Sequence, residues 1–140
     1  MRRSRTPPEP PQFFVDRSLG KHLIPESLRQ AGYTVHTLAS VYGEQGAQTV
    51  SDEEWIELAA DRGWVVLTKD DRIRRRPAEL RAVRAHAVRM FCLTNANLQG
   101  AEQLDRFLSN INRIVQRSQR PGPWICAVYE ARVAQIWPRS

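Results

Sequence analysis

Cysteine is scarce in this chain of 140 residues: Cys92 and Cys126 are the only two. Each sits in an apolar, strand-like run, and their spacing matches no zinc site, so buried reduced thiols of a cytoplasmic protein are expected. Long hydrophobic runs are also missing. No stretch approaches the roughly 18 apolar residues of a membrane span, and no signal-peptide core follows Met1, so no membrane association is expected. There is no internal repeat. "GEQGAQ" (43–48) is the nearest thing to a glycine-rich loop, but it lacks the strand-to-helix setting a phosphate cradle needs. No Ser-His-Asp or Cys-His arrangement is present, and His22, His36 and His86 show no ligand spacing.

What is present is positive charge and enough apolar residue for a core. The net charge is +6 and the pI about 10.1. That fits either a solvated basic surface or an anionic partner, nucleic acid or an acidic protein. The hydrophobic fraction of 41% supports one domain in a chain too short for two ordinary ones. The opening "MRRSRTPPEPPQ" is rich in Arg and Pro and has little to bury, so residues 1–11 read as a disordered arm and 12–140 as the domain.

The pattern along the domain alternates. "FFVD" (13–16) reads as a first strand. "LGKHLIPESLRQAG" (19–32) reads as a helix in which Pro25 is tolerated near the first turn. "YTVHTL" (33–38) reads as a second strand, and "ASVYGEQGAQTV" (39–50), with its glycines, as a loop. "SDEEWIELAADRG" (51–63) is the clearest helix, with Ser51 and Glu54 spaced as a capping box. "WVVLT" (64–68) is a third strand, "RIRRR" (72–76) a charged connection, and "PAELRAVRAH" (77–86) a helix with Pro77 at its first position. "VRMFCLT" (88–94) is a fourth strand. Residues 97–119 read as one helix, with Leu104, Phe107, Leu108, Ile111, Ile114 and Val115 on a stripe, ended by "PGP" (121–123). "WICAVY" (124–129) and "RVAQIW" (132–137) form a hairpin. This order predicts an α/β fold: a mainly parallel sheet covered on both faces, with ligands taken at the carboxyl ends of the strands beside the switch point in strand order.

Three acids fall on that edge. Asp16 ends the first strand, and Asp70, followed by Asp71, ends the third. Adjacent strand ends lie about 5 Å apart. Asp52 opens the helix between, on the side of Trp55, Ile56 and Ala59, which is the face that packs on the sheet. Taken singly, each has an ordinary explanation: Asp16 as a helix cap, Asp52 as dipole complementation, Asp70 as a turn residue. Taken together they repel one another and raise each other's pKa, a penalty that a bound Mg²⁺ or Mn²⁺ removes.

"FFVDRSLG" and "SDEEWIELAADRGWVVLTKDD", in this strand–helix order, resemble the PIN domain, and in particular the short PIN-like group that includes some VapC-type toxins. The match runs over roughly residues 12 to 95. Asp16, Asp52 and Asp70 take the places of the family's Asp ending the first strand, its D-x-x-[apolar]-x-x-x-A helix and its T-x-D. The resemblance implies a three-layer α/β/α sandwich and Mg²⁺- or Mn²⁺-dependent cleavage of RNA. It also implies frequent homodimers and, for toxins, an inhibitory antitoxin. Two departures stand out. The family's further Glu on an intervening helix has only weak candidates here, Glu44 and Glu53. Where many members continue with a second Asp two residues on, this chain has Asp71 one residue early.

Arg72, Arg74, Arg75 and Arg76 follow the acid edge directly, and Arg17 and Lys21 follow Asp16. These are the candidate RNA-binding residues, able to hold phosphates flanking a scissile bond, against the plain alternative of a solvated charged face. The four tryptophans are expected in the core and the hairpin. The expected function is a metal-dependent endoribonuclease, the toxin of a toxin–antitoxin pair. In it Asp16, Asp52 and Asp70, with Asp71, hold the metal. The alternative is a nucleic-acid-binding module on a decayed PIN-like scaffold.

Overall fold

In the computed structural model, residues 10–69, 75–94 and 97–139 are described. The arm at 1–9, the acids Asp70 and Asp71, and Arg72 and Arg74 lie outside the described residues. Six strands form one sheet: β1 (Phe13–Val15), β2 (Val35–Thr37), β3 (Val65–Thr68), β4 (Arg89–Leu93), β5 (Trp124–Val128) and β6 (Val133–Trp137). Their order is β2-β1-β3-β4-β5-β6. Every pairing is parallel except β5 with β6, the expected C-terminal hairpin. The helices are α1 (Leu23–Gln30), α2 (Leu38–Thr49), α3 (Asp52–Asp61), α4 (Pro77–Ala85), α5 (Gly100–Ser109) and α6 (Ile111–Arg117).

Both sheet faces are covered, which explains why the central strands are buried end to end rather than alternating. On one face Phe13, Val15, Leu67, Phe91 and Val128 pack against Leu28 of α1, Phe107 of α5 and Ile114 of α6. On the other, Phe14, Val66, Met90 and Ile125 pack against Trp55, Ile56 and Ala59 of α3 and Val83 of α4. This is an α/β/α sandwich. Trp55 stacks on Phe14 with ring centroids 5.2 Å apart, and Trp64 and Trp124 are also buried. Cys92 and Cys126 are free and buried, and they belong to the cores on opposite faces of the sheet. Burial pushes the Cys126 thiol up to about 11.

Of residues 39–50, expected as a loop, 39–49 belong to the kinked helix α2. Thr37 caps α2 through a reciprocal pair: its hydroxyl accepts from the Ser40 backbone N–H, and the Ser40 hydroxyl accepts from that of Thr37. Val41, Tyr42 and Ala47 then pack on the core. Gly43, whose low helix propensity suggests a loop, instead makes a kink at φ +79°, a left-handed conformation that glycine adopts without strain. At α3 only half of the expected capping box forms, with the Ser51 hydroxyl accepting from the Glu54 N–H.

The single helix expected over 97–119 is two. Asn110 divides it. Its side chain is fully buried, and its Nδ2 donates to the carbonyls of Arg106, Tyr129 and Glu130. These bonds join the helix break to the loop after β5. Arg89, buried at the start of β4, similarly donates to the carbonyls of Ser118 and Gly63. Asn110→Ala leaves three carbonyls short of a partner and is expected to destabilise the fold by about 2–3 kcal/mol, from roughly 1 kcal/mol per lost bond. Urea unfolding of the two proteins checks this.

Candidate active site at the β1–β3 edge

The strand order reverses direction at β1: the chain steps outward to β2, then returns past β1 to β3. The carboxyl ends of β1 and β3 therefore flank the switch point, where open α/β sheets place their ligands. Val15 pairs with Leu67, and the next residue on β1 is Asp16.

Asp16 is almost completely buried, with 7% of its surface exposed. It caps the short 3-10 turn Arg17–Leu19. Its Oδ1 accepts from both the backbone N–H and the hydroxyl of Ser18, and its Oδ2 accepts from the Thr68 hydroxyl at 2.7 Å. The Ser18 hydroxyl also accepts from the Lys69 N–H at 2.9 Å. The carboxylate thus ties the end of β1 to the end of β3. Burial raises its pKa above the ordinary 3.8, and the charge on Asp52 acts in the same direction, while the hydrogen bonds from Ser18 and Thr68 oppose both.

Asp52 opens α3 as expected, half-buried. Its Oδ1 accepts from the Trp55 indole N–H at 2.9 Å and lies 3.8 Å from the Arg17 guanidinium. Arg17 also donates to the carbonyls of Ala47 and Val50 at the end of α2. It therefore braces α2 against the start of α3, a structural duty its sequence position does not reveal. Asp16 and Lys21 line a cavity of about 320 Å³ together with Glu44 of α2. Lys21 and Glu44 are both exposed and 3.9 Å apart.

Two residues gain importance from the structure. Glu44 is a weak candidate while its segment reads as a loop; the kinked α2 carries it to the cavity beside Asp16. Ser18 carries no signal in the sequence, and only the pairing of β1 with β3 brings it between Asp16 and Lys69. Glu53 is exposed on α3. Of the basic run, Arg75 is exposed and Arg76 pairs with Glu79 at 3.9 Å. Among the described residues no three His, Cys, Asp or Glu side chains gather as a metal-holding group.

The PIN like domain family matches residues 11–95 of the chain. The chain is also 37% identical, over 124 residues, to a protein of Mycobacterium tuberculosis (strain ATCC 25618 / H37Rv) named "Putative ribonuclease VapC45"; the match spans 89% of this chain and 90% of that one. No solved structure matches. The chain belongs to the PIN-like domain family, and its mainly parallel sheet covered by helices on both faces fits that membership. Among the described residues no helix is long and apolar enough to cross a membrane.

The raised pKa of Asp16 carries a sign. Its carboxylate is harder to ionise in the folded chain than in the unfolded one, so its ionisation destabilises the metal-free fold, fully above the folded-state pKa and less as pH falls through it. Asn can keep the bonds from Ser18 and can donate to the Thr68 oxygen. In chelator, Asp16→Asn is expected to melt above wild type near neutral pH, with the gap closing on acidification. Calorimetry across that range checks it; a lower Tm for the variant at neutral pH would show that the hydrogen bonds outweigh burial.

Proposed function

We propose that this protein is a Mg²⁺- or Mn²⁺-dependent endoribonuclease acting in the cytoplasm as the toxin of a toxin–antitoxin pair. The observation that carries the reading is the buried carboxylate of Asp16 at the β1–β3 switch point, with Asp52 near enough to raise its pKa. Membership of the PIN-like family and the likeness to "Putative ribonuclease VapC45" support it.

The donor set fits a hard divalent cation. A carboxylate offers about four acceptor directions; three on Asp16 are taken by Ser18 and Thr68, leaving one for a ligand. Asp16 and Asp52 are the described residues that would hold the ion, Asp70 and Asp71 are proposed with them from their places after β3, and Glu44 lines the adjoining cavity. Bound there, a divalent ion supplies a water of lowered pKa and positive charge for the phosphate. The chain does the rest. Ser18 and Thr68 fix the plane of the Asp16 carboxylate. Trp55 and Arg17 hold Asp52 at the mouth of the site. Lys21, Arg75 and Arg76, with Arg72 and Arg74 of the same run, are the proposed phosphate contacts, and Arg17 has a cation to share with them. RNA is the substrate, and an acidic antitoxin is the proposed partner that restrains the enzyme. A homodimer is the proposed assembly.

Asp16→Asn and Asp70→Asn are each expected to lower RNA cleavage by on the order of 100-fold or more, with an unchanged circular dichroism spectrum. Calorimetry with Mn²⁺ is expected to show binding to wild type that Asp16→Asn loses. Equal cleavage by variant and wild type sinks this site. Ser18→Ala, which frees the Asp16 carboxylate to turn, is expected to weaken Mn²⁺ binding about 10-fold.

A second reading has an observation of its own: the described acids do not by themselves gather into a metal-holding group, and Asp52 is already engaged by Arg17 and Trp55. It makes the protein a nucleic-acid-binding module on a decayed scaffold. RNA binding indifferent to chelator, with no product formed at any Mn²⁺ concentration, selects it.

A further inference from the structure

The sandwich carries a second concentration of charge, remote from the acid edge. Arg113 and Arg117 lie on α6, and Arg120 comes in the turn after it. Two hollows meet there. One, of about 330 Å³, is lined by Arg113, Arg117, Arg120 and Val133 among others. The other, of about 620 Å³, is lined by Arg117, Arg120, Arg139, Tyr129 and Gln135 among others. They share Arg117 and Arg120, so they adjoin along the groove between α6 and the edge strand β6.

Its chemistry is one-sided. Among the described residues no carboxylate lines either hollow, and none of Arg113, Arg117, Arg120 and Arg139 has a carboxylate within ion-pair distance. Arg113 and Arg117 reach only side-chain amide oxygens, those of Asn110 and Gln135, both at 3.3 Å. Four guanidinium groups thus line the two hollows with no carboxylate partner among the described residues, which leaves them available to an anion. Outside the groove two arginines are paired with carboxylates, Arg17 with Asp52 and Arg76 with Glu79.

We infer that this groove between α6 and β6 is an RNA-backbone-binding track, separate from the β1–β3 edge. Its lining argues for RNA over an acidic protein. A protein interface needs apolar anchors at its centre, and the two large apolar side chains left exposed among the described residues, Leu23 and Leu108, line neither hollow. A positive, polar groove with a half-buried aromatic ring at one end suits phosphates and a base. Tyr129 is that ring, with the Arg132 guanidinium 4.4 Å from its centroid. β6 lies four strand steps from β1, roughly 19 Å at about 4.8 Å per step. A stacked strand rises about 3.4 Å per nucleotide, so an RNA touching both places spans about six nucleotides or more. The inference deepens the endoribonuclease reading, and rests on it only for the fate of the bound RNA.

The test is the affinity of the full chain for a fluorescein-labelled RNA of 20 nucleotides, measured by anisotropy in chelator at several salt concentrations. The variant is Arg113→Ser/Arg120→Ser/Arg139→Ser, three exposed positions, with an unchanged Tm confirming its fold. The expected result is affinity lowered at least tenfold, and a salt slope shallower by about 2, since each phosphate contact on a single strand contributes about 0.7. Unchanged affinity overturns the inference. So does a wild type that ignores RNA but binds polyglutamate through the same arginines, which makes the groove a protein site. Cleavage of the same RNA by wild type with Mn²⁺ is scored separately. Arginine-dependent binding without cleavage sinks the nuclease reading and leaves the track standing; cleavage with arginine-independent binding does the reverse.

Discussion

The burial of one carboxylate at the junction of β1 and β3 constrains the rest of this molecule. Asp16 sits where two parallel strands end side by side, and water is nearly excluded from it. An ionised group there is tolerated only because three hydrogen-bond donors converge on it, two from Ser18 and one from Thr68. Those donors come from the turn after β1 and from the end of β3, so the charge dictates how the two strand ends meet. The short turn at Arg17–Leu19 exists in the form it does because the Asp16 side chain caps it. That turn in its turn sets the direction of Arg17, which reaches across to the end of α2 and to Asp52 at the start of α3 and so ties both helices to the strand ends.

That arrangement trades stability for chemistry. Burial favours a protonated Asp16 over an ionised one, while the donors from Ser18 and Thr68 favour the charge. In the proposed function, one divalent ion would offset both the desolvation and the repulsion from Asp52. The remote arginine groove differs in that its guanidinium groups have no carboxylate partner among the described residues, whereas at the strand-end edge Asp52 is paired with Arg17 and Glu44 with Lys21.

Much of this is readable in the residues. The alternation of strands and helices, the C-terminal hairpin and the parallel sheet come from period and punctuation. Asp16 belongs at the edge because it directly succeeds an apolar run, and Asp52 because it begins a helix whose buried face is spelled out by Trp55, Ile56 and Ala59. The loop expected over 39–50 fails because glycine interrupts the helix there at a single residue and does not unwind its neighbours. Gly43 is a kink between two helical stretches, and the Thr37–Ser40 cap and the packing of Val41, Tyr42 and Ala47 outweigh propensity. The break at Asn110 is hidden because the apolar stripe passes through it without a skip; the carbonyls that Asn110 serves across the fold, those of Tyr129 and Glu130, lie 19 and 20 residues further along the chain.

By itself, then, the sequence determined the strands, their order and most of the helices, since hydrophobic period, caps and breakers act over a few residues. It also determined that Asp16 stands at a strand end and Asp52 at a helix start. The tertiary structure alone decided which groups share a space. Ser18 beside Lys69, Arg17 across α2 and α3, Glu44 in the lining of the Asp16 cavity, and Arg139 and Arg117 in the lining of one hollow bring together residues far apart in the chain. Such contacts depend on strand order and register, and no local pattern encodes those; they are settled when both faces of the sheet are buried at once.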